Sequence, residues 1–282
     1  VDKIKNFWGS LPRALRIVLM VGAVLFLFSQ VAKAETWTLD RMNNHIDQTN
    51  FIVGSPANCS ATLISVEQRL LLTNHHCIEQ YIKKETRQVI GADGQIDNVE
   101  YERFDGVPVS QKVYSGHEVV SSLNYQMEIV GYSKDYDLGL LRFKAETIPN
   151  TIHSKIFTGG SIERGEEVYA VGNPLGLDAT LTKGIISSVN RRLEVEGTEH
   201  DYLQMDAGIA GGNSGGALYN ASGELIGVPA AAASGTMIGL SIPAESIIQF
   251  LKDNCYDIVV DPAAKGHEVC VEELDDEEES KE

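Results

Sequence analysis

The sequence predicts an all-β fold, a pair of six-stranded antiparallel β-barrels closed by a C-terminal helix, and three observations lead to it. From about Phe51 onward short apolar runs alternate with Gly, Asn, Asp and Pro, the pattern of many short strands joined by turns. A polar segment at 145–154, carrying Pro149 and Asn150, divides these runs into two halves, about 51–148 and about 155–242. From Pro243 the spacing becomes helical, with Ile247, Ile248 and Leu251 on one face of a helix over 243–254. A chain of 282 residues, 43% hydrophobic and 22% charged, has ample material for such a core.

Before the barrels, Lys3, Lys5, Arg13 and Arg16 precede an apolar stretch from Ile17 to Phe28 and then Ala32-Lys33-Ala34. This order reads as an export signal over 1–34, cleaved after Ala34, and places the protein in the periplasm or outside the cell. An uncleaved membrane anchor is the competing reading, but the apolar run falls short of the roughly 20 residues a bilayer requires. A membrane partner follows only from that anchor reading.

Within the barrels the strand candidates are Ala61–Ile64, Arg69–Thr73, Leu138–Phe143, Glu167–Val171, Gly184–Val189 and Leu225–Val228. Asn220-Ala221-Ser222-Gly223 reads as the turn of a hairpin between Ala217-Leu218-Tyr219 and Glu224-Leu225-Ile226. The long polar stretch 79–132, broken by Gly91, Gly94, Gly106, Gly116 and Gly131, reads as hairpins and surface loops. Its acidic residues Asp93, Asp97 and Glu100 lack the spacing of a calcium loop and read as solvated. Beyond the helix, an acidic extension over 257–282 ends in carboxylates from Glu272 to Glu279 that can bury nothing. A formal charge of −17 argues against a nucleic-acid partner.

Four cysteines in an exported chain are expected to pair. Three pairings exist in principle, and proximity in sequence favours Cys59 with Cys77 and Cys255 with Cys270. Without a C-x-x-C pair no zinc site is expected, and no metal or cofactor is called for.

Three motifs carry chemistry. Serine is a poor nucleophile unless a base, held in the correct tautomer by a third group, takes its proton. Gly212-Asn213-Ser214-Gly215-Gly216 supplies a turn that exposes a hydroxyl, with backbone N–H groups of the Gly212-Asn213-Ser214 turn, Gly212 and Ser214 foremost, available to an oxyanion. Alone this motif is ambiguous: it fits a glycine-rich loop without chemistry, and also the nucleophile elbow of α/β-hydrolases. That second reading needs Asp and His after the serine, where only His267 follows. Thr73-Asn74-His75-His76-Cys77 ends an apolar run and Asp137-Leu138-Gly139-Leu140-Leu141 opens another, giving the order His, Asp, Ser.

Together Cys59-Ser60-Ala61-Thr62-Leu63-Ile64 and Leu72-Thr73-Asn74-His75-His76-Cys77 resemble the disulfide-bridged strand pair that carries the base in chymotrypsin-like serine proteases. The resemblance implies the chymotrypsin-like double barrel and selects His76, directly before the second cysteine, over His75. It also selects Asp137, directly before an apolar strand, over Asp135, and makes Ser214 the nucleophile. Val171-Gly172-Asn173-Pro174-Leu175-Gly176-Leu177, Thr182 to Ser187, Gln204 to Leu218 and Gly239 to Pro243 resemble the protease domain of the HtrA/DegP family. Two departures stand out: too few residues follow Cys255 for the family's PDZ domain, and cysteines in the base-bearing strand pair are closer to secreted trypsins.

An endopeptidase acting on exported or unfolded polypeptides is what this resemblance implies, and it allows a homo-oligomer. Asn213 replaces the aspartate that pairs with a new N-terminus in trypsin-type zymogens, so activation by that route is not expected. By alignment to the serine loop, the substrate pocket has its base at Gly208 and Ile209 and walls that include Val228, Pro229, Ala230 and Leu240. With no carboxylate there and no histidine in the wall, a small or apolar P1 side chain is expected. Turnover is expected to fall below about pH 6 to 7 as the base protonates. A catalytically silent binding or holdase module on the same fold is the alternative function.

Overall fold

The computed structural model describes Pro12 and residues 37–264, apart from 55–58, 91–94, 117, 196–197 and 234. Apart from Pro12, the export signal over 1–34 lies outside the described residues, as do Cys270 and the acidic run 272–279. Contacts divide the chain into two units, residues 1–37 and 38–282, and every element below belongs to the second.

A helix the sequence reading did not anticipate comes first. Thr38 caps α1 (Leu39–Thr49) through its hydroxyl, and Met42, Ile46 and Thr49 recur at helical spacing as its buried face. The first barrel follows: β1 (Asn50–Val53), β2 (Cys59–Ser65), β3 (Leu70–Thr73), β6 (Val107–Ser115), β7 (Glu118–Ser133) and β8 (Leu138–Phe143), closed in the order β1-β2-β3-β8-β7-β6. Its interior holds Phe51, Leu63, Leu71, Met127, Leu141 and Phe143. Burying each of these side chains stabilises the fold by about 1.5–3 kcal/mol. Between β3 and β6 the chain leaves the barrel as a two-stranded hairpin, β4 (Ile82–Ile90) and β5 (Ile96–Phe104). Asp97 and Glu100 are exposed on β5, and their odd spacing puts them on opposite faces, while Asp93 lies outside the described residues.

The second barrel comprises β9 (Glu167–Gly172), β10 (Thr180–Val195), β11 (Thr198–Met205), β12 (Ala217–Asn220), β13 (Leu225–Ala232) and β14 (Gly239–Pro243). It closes in the order β10-β11-β14-β13-β12-β9 around Val168, Ile186, Leu203, Met205, Leu218 and Ile226. The Asn220 side chain closes the β12–β13 turn by accepting the N–H groups of Ser222 and Glu224. Helix α3 (Ala244–Asp253) buries Ile247, Phe250 and Leu251, and Cys255 is buried just beyond it. No helix among the described residues is long and apolar enough to cross a membrane.

Cys59 and Cys77 form a disulfide across 18 residues of chain. It ties the start of β2 to the turn after β3, and closing a loop of this size contributes about 3 kcal/mol in the chain-entropy account.

Candidate active site

Strand register delivers the first two residues. In the β3–β8 pair Thr73 faces Gly139, so the residues just after β3 lie beside those just before β8. After β3 the chain turns through Asn74 into a single helical turn, α2 (His75–Ile78). Before β8 it turns at Asp137, which holds a positive φ of 49°. The Asn74 amide donates to the Asp137 carbonyl at 2.8 Å and joins the two turns. The Asp137 carboxylate then accepts twice from His76: from the backbone N–H at 3.1 Å and from Nδ1 at 2.9 Å. A carboxylate only accepts, so Nδ1 carries the proton and Nε2 keeps its lone pair for another group. Asp135 is exposed in the turn and takes no part in this pair.

His75 goes elsewhere. Neighbouring helical residues point about 100° apart, and its ring is buried and stacks on Tyr132 at 5.2 Å. Burial lowers its pKa, with Glu79 and Asp137 opposing that shift. The Tyr132 hydroxyl donates to the Glu102 carboxylate on the β5 hairpin, and burial together with this bond pushes it up to about 12.

Ser214 comes from the opposite barrel, in the loop joining β11 to β12. Gly212 adopts φ 105°, and a Cβ there would lie 2.4 Å from the Asn173 carbonyl, so only glycine fits. Gly215, at φ 82°, is held as tightly: its Cβ would meet the Ser60 carbonyl at 2.2 Å. The Ser214 carbonyl accepts the Ser60 N–H of β2 at 2.7 Å, which fixes the loop against the barrel that carries His76 and Asp137. Its hydroxyl donates to the Ala230 carbonyl on β13 at 3.3 Å. The Asn213 N–H is spent on the Ala210 carbonyl at 3.0 Å, which corrects the expectation that all three residues of the turn offer oxyanion donors. Among the described residues, the Gly212 and Ser214 N–H groups make no hydrogen bond.

Residues 59–228 match the trypsin-like peptidase domain family, a span that includes His76, Asp137 and Ser214. The chain belongs to the trypsin-like peptidase family. It is 39% identical over 134 residues to Protease Do-like 1, chloroplastic, of Arabidopsis thaliana, covering 44% of this chain and 29% of that protein. With Serine protease Do-like HtrB of Bacillus subtilis the identity is 36% over 129 residues, covering 43% of this chain and 28% of the relative. The solved structure of the HtrA-type protease AlgW with decapeptide aligns at a TM-score of 0.53 and 27% identity, over 70% of this chain and 51% of that one. The architecture is thus the chymotrypsin-like double barrel of HtrA-type proteases, and the chain spans less than a third of the length of these two curated relatives.

Beside Ser214 this trypsin-like peptidase has a cavity of about 310 Å³, lined by Ile209, Ala210, Gly211, Pro229, Ala230 and Ala231 among others, none of them charged. Ile209, Pro229 and Ala230 thus line the cavity. Val228 and Leu240 do not: both are buried, Val228 paired with Ile242 and Leu240 with Ala231 between β13 and β14. The pairing of β13 with β14 shifts register between Pro229 and Ala231, and consecutive residues from Pro229 to Ala232 line the cavity while Val228 stays buried. Gly208 is exposed outside the cavity lining, its carbonyl accepting the Thr182 hydroxyl.

The ligand atoms of Cys59, His76 and Cys77 lie within 4.8 Å of one another. Both sulfurs are committed to the disulfide and offer no thiolate, so this cluster does not suit a metal ion. The sequence gives no local sign of Ser60 bonding Gly212 and Ser214, of Asn173 bonding Ser60, or of Leu175 bonding Gly211, because each pair is brought together from distant parts of the chain.

Proposed function

We propose that the chain is a serine endopeptidase in which Ser214 attacks the scissile carbonyl, His76 Nε2 takes its proton, and Asp137 holds the imidazole in the required tautomer. The observation that carries this reading is the bonding of the Asp137 carboxylate to His76, at the ring and at the backbone, in the barrel to which the glycine-constrained turn of Ser214 is tied. In the first step the Ser214 hydroxyl leaves the Ala230 carbonyl and turns to His76. As its oxygen bonds to the substrate carbon, the proton moves to Nε2 and negative charge develops on the carbonyl oxygen. The Gly212 and Ser214 N–H groups receive that charge. Collapse expels the amine, which takes the proton from His76 and leaves an acyl-enzyme on Ser214. Water, activated by the same imidazole, hydrolyses this ester.

The uncharged lining of alanine, isoleucine and proline supports a small or apolar P1 side chain. The structure of AlgW with decapeptide supports a protease acting on polypeptides, and the basic and apolar segments within 1–34 support export. Two assays test this reading: labelling by a fluorophosphonate, and hydrolysis of denatured casein with the cleavage sites read by mass spectrometry. Labelling at Ser214, lost in Ser214→Ala, and cuts after Val, Ala or Leu are expected. A chain that neither labels nor hydrolyses casein is not a protease, and cuts after Lys or Asp overturn the pocket assignment.

A further inference from the structure

Both N–H groups assigned to the oxyanion belong to a loop rich in glycine, and glycine holds no conformation by itself. Something outside the loop must aim them. Ser60, on β2 of the first barrel and fully buried, makes two of the bonds that do so. Its N–H donates to the Ser214 carbonyl at 2.7 Å, and its Oγ donates to the Gly212 carbonyl at 2.7 Å. That hydroxyl has no other choice. A serine oxygen has one proton and two lone pairs, and here it also accepts the Asn173 N–H at 2.8 Å and the Asn173 side-chain amide at 2.9 Å.

The peptide joining Gly212 to Asn213 is therefore held at both ends, its carbonyl by Ser60 and its N–H by Ala210. Its neighbours are fixed in the same way. The Gly211 carbonyl accepts the Leu175 N–H at 2.8 Å, and the Asn213 carbonyl accepts the Gly216 N–H at 2.9 Å. In a trans peptide the C=O and N–H point to opposite sides. Anchoring the Gly211 and Asn213 carbonyls turns the Gly212 and Ser214 N–H groups away from those anchors, and the Ser60 bond locks the peptide between the two.

We propose that Ser60 is a positioning residue for the oxyanion site, its hydroxyl holding the Gly212 carbonyl so that the Gly212 and Ser214 N–H groups converge on the developing charge. The proposal rests on the reading of Ser214 as nucleophile. Ser60 touches neither substrate nor the reacting atoms, so its removal should weaken binding of the transition state and leave binding of the ground state. In Ser60→Ala, kcat on a peptide substrate falls about 10- to 100-fold, approaching the loss on removing an oxyanion donor, while KM changes less than about threefold.

A readout that a merely structural role would not produce is the selectivity between two ligands of one peptide sequence. A peptidyl trifluoromethyl ketone forms a tetrahedral oxyanion on Ser214, and its affinity should fall by the same factor as kcat. Binding of the corresponding peptide amide, measured in the Ser214→Ala background with and without Ser60→Ala, should not change. Ser60→Thr, which keeps the hydroxyl, should recover kcat. If Ser60→Ala does not fold, Ser60→Cys takes its place with the same readouts, being close in size and a weak donor. A kcat within twofold of wild type, or equal losses for ketone and amide, overturns the assignment of Ser60 and leaves Ser214 as nucleophile. A wild-type chain without turnover or labelling overturns both.

Discussion

Two adjacent histidines with different surroundings give the site its sharpest single-residue test. His76 has 36% of its side chain exposed and pairs with Asp137, whereas His75 is buried against Tyr132. In His76→Ala, kcat should fall by about 10⁴-fold or more with the melting temperature little changed, since an exposed ring leaves no cavity. His75→Gln should keep most of the turnover and lose stability instead, because the stacked ring fills buried space. The reverse pattern, measured as kcat beside thermal melts, would exchange the two roles. Turnover should also fall at acid pH as the base takes a proton. Burial keeps His75 neutral to lower pH than an ordinary imidazole. The resemblance to chymotrypsin-like proteases separates the pair through Cys77, a chain neighbour; Tyr132, far along the chain, gives no sign in the sequence that it covers His75.

At the scale of the element, the serine loop is shaped by close approach as much as by turn preference. A methyl at Gly212 would press on the Asn173 carbonyl while the backbone sits in a region that L side chains avoid. Gly212→Ala should therefore lower kcat at least about 100-fold by moving one oxyanion donor, with KM changing much less. A variant with unchanged kcat would show that the Gly212 N–H does not receive the charge. The glycines were legible as a turn in the sequence, because five residues in a row carry that signal. Neither the Asn213 donor nor the pocket walls were legible in the same way. Whether Asn213 points its N–H at the cleft depends on Ala210, and whether Val228 lines the cleft depends on where β13 leaves its regular pairing, a shift between Pro229 and Ala231 that has no local signal. Helix α1 does carry a local signal in the sequence: Thr38 as cap with Met42, Ile46 and Thr49 at helical spacing.

For the molecule as a whole, α1 supplies a polar clasp between the barrels, and its acid sensitivity can be worked out. His45 lies within 3.2 Å of the Ser154 hydroxyl in the inter-barrel segment and packs edge-on against Tyr219 of β12. Tyr219 meets Ser154 at 2.6 Å and Thr49 at 3.4 Å, and burial pushes its hydroxyl up to about 12. Burial, with a smaller contribution from the charge of His153, lowers His45 from 6.5 to about 4. Above pH 6.5 the ring is neutral in both folded and unfolded chains and imposes no penalty. As pH falls below 6.5 the unfolded chain binds a proton that the folded chain refuses, so stability declines until about pH 4 and then levels off. The loss is at most about 3–4 kcal/mol. Carboxylates titrating over the same range also change stability, so the measurement is a difference between urea-unfolding free energies of wild type and His45→Gln at pH 7.5 and pH 4.5. The variant should lose about 2–3 kcal/mol less than wild type on acidification, since an amide has no proton to refuse. Equal losses in the two proteins would mean that His45 takes its proton without leaving its place, and that the clasp holds the barrels together in either charge state.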